Sequence, residues 1–476
     1  MTQFKRAILT GTLTTQTNFH LGSGQESEDT SNNSKKSDED PKKKNSFNDF
    51  CRDKNNNPYI PASSLRGYLR AIISNENNQQ TEEKLFGLAR QKRGSDKEGN
   101  MGALRIYDAR WRSTAYTENR ISQTSIDPVT GAAKQHHLST HAIVPAQSPF
   151  EVVIEFDDVN EEQIKTILQA LQTFSPDNRG KLGKGKSTGQ GEIHWQQSSL
   201  KVLTEKQLKK WLNQSNLKPN NKGRQSNRAI IEQKLERFFI DHPISDTIKP
   251  FASNLSNITI QLKAKCPILI NDPQAVKRRE EDKSPDCIYM QRKGFAIIPG
   301  STLKGWVRAR CRRILLSLLD NVDDKDDAIA DRIIGEIFGS TDQQSLLSFD
   351  DAQVRVDENN HLHKQTFNAI DRFTGGVKPH ALYNVEAIWP KEPFTTQIHY
   401  PKEKLKGWMK LLLLYVMRDS MEGDLVLGWG KSKGFGRMIL STDRHENWQQ
   451  QYQATNQNDL TAWNNELEQK LQGESQ

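Results

Sequence analysis

Ile60-Pro61-Ala62-Ser63-Ser64-Leu65-Arg66-Gly67-Tyr68-Leu69-Arg70 recurs as Ile298-Pro299-Gly300-Ser301-Thr302-Leu303-Lys304-Gly305-Trp306-Val307-Arg308, with the residue class kept at every position. A repeat of this kind fixes the architecture before any local reading does. Other blocks recur in the same order. Phe86-Gly87 and the run Leu104 to Ala109 pair with Phe338-Gly339 and Leu347 to Ala352. Ile126 to Lys134 (IDPVTGAAK) pairs with Ile370 to Lys378 (IDRFTGGVK), and Pro145 with Pro149-Phe150 pairs with Pro390 and Pro393-Phe394. Last, Leu182 to Gly191 (LGKGKSTGQG) pairs with Leu427 to Gly436 (LGWGKSKGFG). The chain is a duplication.

Each copy is long enough to bury its own core, so two tandem domains are expected, over residues 1–198 and 252–443. Residues 199–251 read as a polar connector with one or two helices, and 444–476 as a polar tail with a short helix. Within a copy, Ile258, Ile260, Leu262 and Ala264 alternate with polar residues as in a half-buried strand. The IPxSSLRG block starts an amphipathic helix, with Ser63 or Ser64 able to cap it. A second helix is expected at Glu161 to Phe174 and at Glu403 to Met417, each ahead of the glycine loop. Strand, helix, strand, hairpin, strand, helix, glycine loop and strand make an α+β fold with a ferredoxin-like (RRM-like) core and long loop insertions. One insertion, residues 22–46, contains no aliphatic or aromatic side chain between Gly22 and Ser46 and is expected to be a mobile loop.

Across 476 residues, Lys and Arg (67) exceed Asp and Glu (59), giving a net charge of +8, which favours an anionic partner such as nucleic acid. No apolar run is long enough to span a membrane and no secretory signal is evident, so a cytoplasmic, membrane-free protein is expected. The four cysteines lack CxxC spacing, which argues against a disulfide framework or a zinc knuckle. Gly180 to Ser187 fits the P-loop pattern GxxxxGK[ST]. The second copy has Leu425 in place of the first glycine, and the loop follows a helix and leads into a strand, the reverse of a P-loop. No nucleotide cofactor is therefore expected. Glycines that let backbone approach phosphates, with Arg179, Lys181, Lys184 and Lys186 on the rim, fit RNA instead.

The LGxGKSxGxG loop, the IPxSSLRG helix start and the IDxxTGxxK block together resemble the RAMP superfamily. More narrowly, they resemble the backbone subunits of type III CRISPR effector complexes, here as a tandem pair similar to a type III-D fusion. The resemblance implies partners: CRISPR RNA, target RNA, other RAMP subunits and the large signature subunit. It implies that Ser63, Arg66, Arg70, Lys184 and Lys186, with Ser301, Lys304, Arg308, Lys431 and Lys433, contact RNA phosphates. The IDxxTGxxK blocks match a thumb hairpin that displaces one nucleotide in every six, with Ile126, Val129, Ile370 and Phe373 as apolar wedges.

It further implies an Asp on the loop before the IPxSSLRG helix that cuts target RNA and holds a transient Mg2+ or other divalent ion. Asp49 and Asp286 stand at matching distances from Pro61 and Pro299, with Asp53, Asp40 and Asp272 as nearby rivals. RNA supplies its own 2′-OH nucleophile, so a single carboxylate per site suffices to assist it. The expected activity is divalent-metal-dependent cleavage of target RNA at two positions about six nucleotides apart. Two alternatives stay open: a non-cutting double RAMP subunit at the guide 3′ end, and a RAMP endoribonuclease that processes precursor CRISPR RNA. His136 and His137 are expected to be solvated.

Overall fold

The computed structural model describes residues 2–28, 46–76, 79–88, 99–113, 119–127, 130–215, 235–243, 248–273, 275, 285–319, 324–357 and 361–475. They form two compact units. The first comprises Met1–Thr124, His137–Lys186 and Gln190–Ser253; the second comprises Ser125–His136, Ser187–Gly189 and Asn254–Gln476.

The first unit is built on β1 (Gln3–Thr15), whose Phe4, Ala7, Leu9 and Leu13 face inward. After it come β2 (Gly22–Glu28), β3 (Ser46–Phe50), β4 (Tyr59–Ile60), α1 (Ala62–Asn75), β5 (Ala109–Trp111), β6 (Asn119–Gln123) and β7 (Ser139–Ile143). Then follow β8 (Pro149–Asn160), α2 (Glu161–Leu171) and β9 (Ile193–Thr204). Strand β1 lies between β8 and β9, antiparallel to both, with Leu9 opposite Ile154 and Leu200. The sheet runs β9, β1, β8, β5, β4. With α1 and α2 as the crossovers, this is the order of a ferredoxin-like β-α-β-β-α-β core. Leu65, Leu69 and Ile73 of α1 and Ile164, Ile167, Leu168 and Leu171 of α2 complete the apolar cluster. Asn160 opens α2 with a capping box to Gln163.

The second unit repeats the plan with β10 (Leu255–Ala264), β11 (Cys287–Ile288), β12 (Phe295–Ile298), α3 (Gly300–Leu318), β13 (Ala352–Arg355), β14 (Leu362–Phe367) and β15 (Tyr383–Ile388). It continues with β16 (Phe394–Pro401), α4 (Gly407–Glu422) and β17 (Arg437–Thr442). Its sheet runs β17, β10, β16, β13, β12, matching the first strand for strand. It has its own apolar cluster. In each copy a small second sheet carries the hairpin: β3 pairs parallel to β7 through Asn48 and His141, and β11 pairs parallel to β15 through Cys287 and Val385.

Four features depart from the sequence expectations. Neither Ser63 nor Ser64 caps α1. Pro61 and Pro299 stand at the helix starts without a side-chain cap, and the amides of Ala62 and Gly300 donate to Asp108 (2.7 Å) and Asp351 (2.9 Å). A carboxyl from the next strand segment does what a local serine was expected to do. Second, Gly22–Glu28 of the supposed mobile insertion is a strand, paired antiparallel to β3 with a register shift between Gly22 and Glu26. Backbone pairing holds it where side chains have nothing to bury. The rest of that insertion, 29–45, lies outside the described residues.

Third, the described residues of the connector belong to the first unit. Ile240–Asp241 adds an edge strand beside β9, and a helix spans Glu205–Ser215. Fourth, the tail forms the helices Trp448–Ala454 and α5 (Gln457–Ser475). Leu467 of α5 is buried, and Trp463 and Glu466 lie against Gly407 so closely that a Cβ there would meet them at 2.4 and 2.7 Å.

Candidate nucleic-acid interface

The glycine loops follow α2 and α4 and close on themselves. Leu182 donates to the Gly191 carbonyl and Leu427 to that of Gly436, both at 2.9 Å. Gly191 (φ +82°) and Gly436 (φ +83°) are left-handed, and a Cβ would stand 2.1 and 1.9 Å from the Leu182 and Leu427 carbonyl oxygens, so glycine is required there. Gly183 and Gly428 likewise press against the carbonyls of His20 and Leu269. The loops therefore have one backbone shape in two copies, leading into β9 and β17, with lysines projecting from it.

Those lysines differ in setting. Lys186 and Lys431 are exposed. Lys184 is exposed as well, but its ammonium lies 2.8 Å from His141 Nε2. Burial lowers its affinity for a proton. His141 is itself buried, pushed down to about 4 by desolvation, then by Lys184 and His20. It is therefore neutral at pH 7, and its Nε2 accepts the lysine proton. His20 completes the cluster, with its ring centroid 5.2 Å from that of His141 and its Nδ1 2.6 Å from the Ala142 carbonyl. Sequence reading missed both histidines, since His20 and His141 are far apart in the chain and only the pairing of strand and loop brings them together. His136, by contrast, is exposed, as is His137.

On the helices, Arg66 donates to the carbonyls of Phe86 and Leu104, and Arg70 is paired with Glu82 at 2.7 Å. Both guanidinium groups thus have protein partners. Lys304 donates to Ser187 Oγ at 2.8 Å, and burial, then Arg308, lowers its ammonium to about 8. Ser63 and Arg308 are exposed, and Ser301 is half-buried.

The two thumb tips are superimposable in their bonding. Asp127 Oδ1 accepts from the Thr130 amide, and Asp371 Oδ1 from the Phe373 and Thr374 amides. Gly131 and Gly375 close the turns onto the carbonyls of Asp127 and Asp371, both at 2.9 Å. These backbone donors, then the Thr374 hydroxyl, hold the Asp371 carboxyl below its ordinary range. Such self-contained turns leave the apolar side chains outside: Phe373 is 99% exposed, Ile370 59% and Ile126 50%. Val129 lies outside the described residues.

The aspartates are unlike each other. Asp49 is half-enclosed on β3, where its oxygens accept from Arg52 Nε (2.9 and 3.1 Å), Arg52 Nη2, the Phe50 amide and Ser27. Burial pushes its carboxyl up, but Arg52 and the amide more than reverse this and hold it below the ordinary range. Asp286 is exposed; its Oδ2 accepts from the Asn384 amide at 2.7 Å, and its Oδ1 has no hydrogen-bond partner among the described residues. Nor are the two at matching positions, as their distances from the prolines had implied. His141 and Val385, equally far from the tip lysines Lys134 and Lys378, pair with Asn48 and Cys287. That register sets Asp49 level with Ile288, and Asp286 level with Phe47. The Cys51 and Met290 amides, donating to Leu21 and Ile270, agree. Of the rivals, Asp53 accepts amides of its own turn, Asp272 accepts from Ala275, and Asp40 lies outside the described residues.

Among the described residues no group of three or more His, Cys, Asp or Glu side chains is placed to hold a metal ion, and no helix is long and apolar enough to cross a membrane. The RAMP superfamily profile matches residues 12–194 and 289–439, one stretch in each copy. The chain is also 30% identical over 172 residues to the CRISPR system Cms endoribonuclease Csm3 of Streptococcus thermophilus, covering 31% of this chain and 73% of that protein.

Proposed function

This chain belongs to the RAMP superfamily, and on that premise we propose that it is a backbone subunit of a type III CRISPR effector complex. In this reading it holds CRISPR RNA along both copies and cuts the complementary target RNA at two positions about six nucleotides apart. Other RAMP subunits and the large signature subunit are its partners. The observation that carries the reading is that each copy has both a hairpin tip, apolar and exposed at Phe373, Ile370 and Ile126, and a glycine loop rimmed by lysines. An apolar wedge unstacks a base, and the cationic rim holds the phosphates that follow. The likeness to an endoribonuclease over 31% of this chain supports the cutting step.

Cleavage asks little of the protein beyond position. The 2′-OH is the nucleophile, and the fold must splay the flanking nucleotides so that it lines up with the scissile phosphate. Asp286 is the better placed carboxylate, since one of its oxygens is open to a 2′-OH proton. Asp49 has its oxygens on Arg52 and must exchange that partner for substrate before it acts. Neither residue fits a resident metal ion.

The test is an assembled complex given guide, synthetic target and Mg2+. Two products spaced as stated support the reading, no product supports guide capping, and cleavage of precursor instead supports processing.

A further inference from the structure

Four rings of the second unit converge where its hairpin meets its glycine loop. Phe367 and Tyr383 stack across β14 and β15, with centroids 5.3 Å apart and planes at 16°. Trp429 stands edge-on to Phe367 at 5.5 Å, and Phe435 edge-on to Trp429 at 5.4 Å. Phe435 is buried and forms the floor, while Phe367, Tyr383 and Trp429 are half-buried. Over this group sits the Lys433 ammonium, 5.0 Å from the Trp429 centroid, 5.1 Å from Tyr383 and 5.3 Å from Phe367. Lys433 also donates to the Tyr383 hydroxyl.

Ordinary packing does not require these rings, because the first copy builds the same junction without them. Lys184 and Trp429 make the same amide bond, to His20 and Leu269 at 2.8 Å, and Gln190 and Phe435 the same one, to Gly185 and Gly430 at 3.2 Å. The hairpin pair opposite Phe367 and Tyr383 is Gln123 and Ser139. Thus Gln123, Ser139, Lys184 and Gln190 hold one copy at positions where Phe367, Tyr383, Trp429 and Phe435 hold the other. The backbone is conserved between the copies and the chemistry of the pocket is not.

We propose that Phe367, Tyr383, Trp429 and Phe435 form a stacking platform for one unstacked nucleobase of single-stranded RNA, present in the second copy alone, with Lys433 as partner of the adjoining phosphate. The proposal rests on the RNA-binding reading above and adds a base-contacting site to it. Half-exposed aromatic rings beside a cation are what a nucleotide offers contacts to: a ring face takes the base, and the ammonium takes the adjoining phosphate. In the free protein the lysine covers the rings itself. Such stacking tolerates any base, so the site adds affinity without sequence preference.

The experiment measures binding of the purified full chain to a short uridine oligomer and to the same sugar–phosphate oligomer carrying abasic spacers. Trp429→Ala should reduce the preference for the base-bearing oligomer roughly 5- to 150-fold, the range expected for one stacked base, while leaving the affinity for the abasic one unchanged. Trp429→Phe, which keeps a ring, should retain most of the preference and the wild-type melting temperature. Lys433→Gln should weaken both oligomers alike and reduce the salt slope by about one ion. Wild-type protein that binds both oligomers equally, or a Trp429→Ala variant with undiminished preference, overturns the platform and leaves RNA binding standing. Wild-type protein that binds neither overturns both.

Discussion

Removing the carboxylates of Asp49 and Asp286 one at a time should give two different phenotypes, although their distances from the repeated prolines make them look alike. Asp49→Ala deletes the acceptor of the Arg52 guanidinium, the Phe50 amide and the Ser27 hydroxyl, and takes away the carboxylate facing Arg52, which lies over the Phe50 ring. The Asp49 and Arg52 side chains are 14% and 16% exposed, so solvent replaces these contacts poorly. Hydrogen bonds to a charged group are worth about 1.5–3 kcal/mol, and the loss expected here is about 2–3 kcal/mol. For a domain of this size that lowers melting by about 4–12 °C. Asp286→Ala gives up one bond to the Asn384 amide at an exposed site, about 0.5 kcal/mol, and should melt within about 2 °C of wild type while losing one cleavage product. Calorimetry of the purified chain, run beside a target-cleavage assay of the assembled complex, separates the cases. An Asp49→Ala protein that melts within a degree of wild type would refute the argument that Arg52 and Asp49 brace β3.

Two further outcomes follow from the cores and the histidine cluster. His141 is held near 4, below its ordinary 6.5, so the unfolded chain binds the extra proton between those values. Stability of the first unit should therefore fall as pH drops from about 6.5 towards 4, and His141→Gln should flatten that part of a melting-against-pH curve. Leu467→Ala should cost about 2–5 kcal/mol in the second unit, as for a buried core leucine; a change under 1 kcal/mol by denaturant titration would mean that α5 is not docked.

The core was legible because duplication let each weak pattern be read twice. Alternation in Leu255–Ala264 and the helical spacing of Leu65, Leu69 and Ile73 gave strand and helix correctly, and the glycine loop appeared where two copies agreed on it. What escaped was whatever depends on partners distant in sequence. The Asp108 and Asp351 caps come from beyond the helices they cap, and nothing local to Ser63 reveals them. The aspartate mismatch arose because distance along the chain was used where sheet register decides. Leu460, Trp463, Leu467 and Leu471 stand at helical spacing, but the polar residues around them make α5 read as a short helix in a polar tail rather than a long helix with a buried face. The aromatic platform was invisible for another reason: Phe367, Tyr383, Trp429 and Phe435 come from two segments, and each on its own is an ordinary residue.

The carboxyl groups at the starts of α1 and α3 limit how this protein can hold a polyanion. A bare helix start attracts phosphate through its free amides. Here the first amide of each helix already has a carboxyl oxygen at 2.7 or 2.9 Å, supplied by the chain itself. An arriving phosphate would compete with a tethered ligand whose effective concentration is that of an intramolecular group, not of a solute. Both doors are bolted from inside, so on the proposed function an RNA would be turned towards the loops and hairpins, where the two copies have diverged.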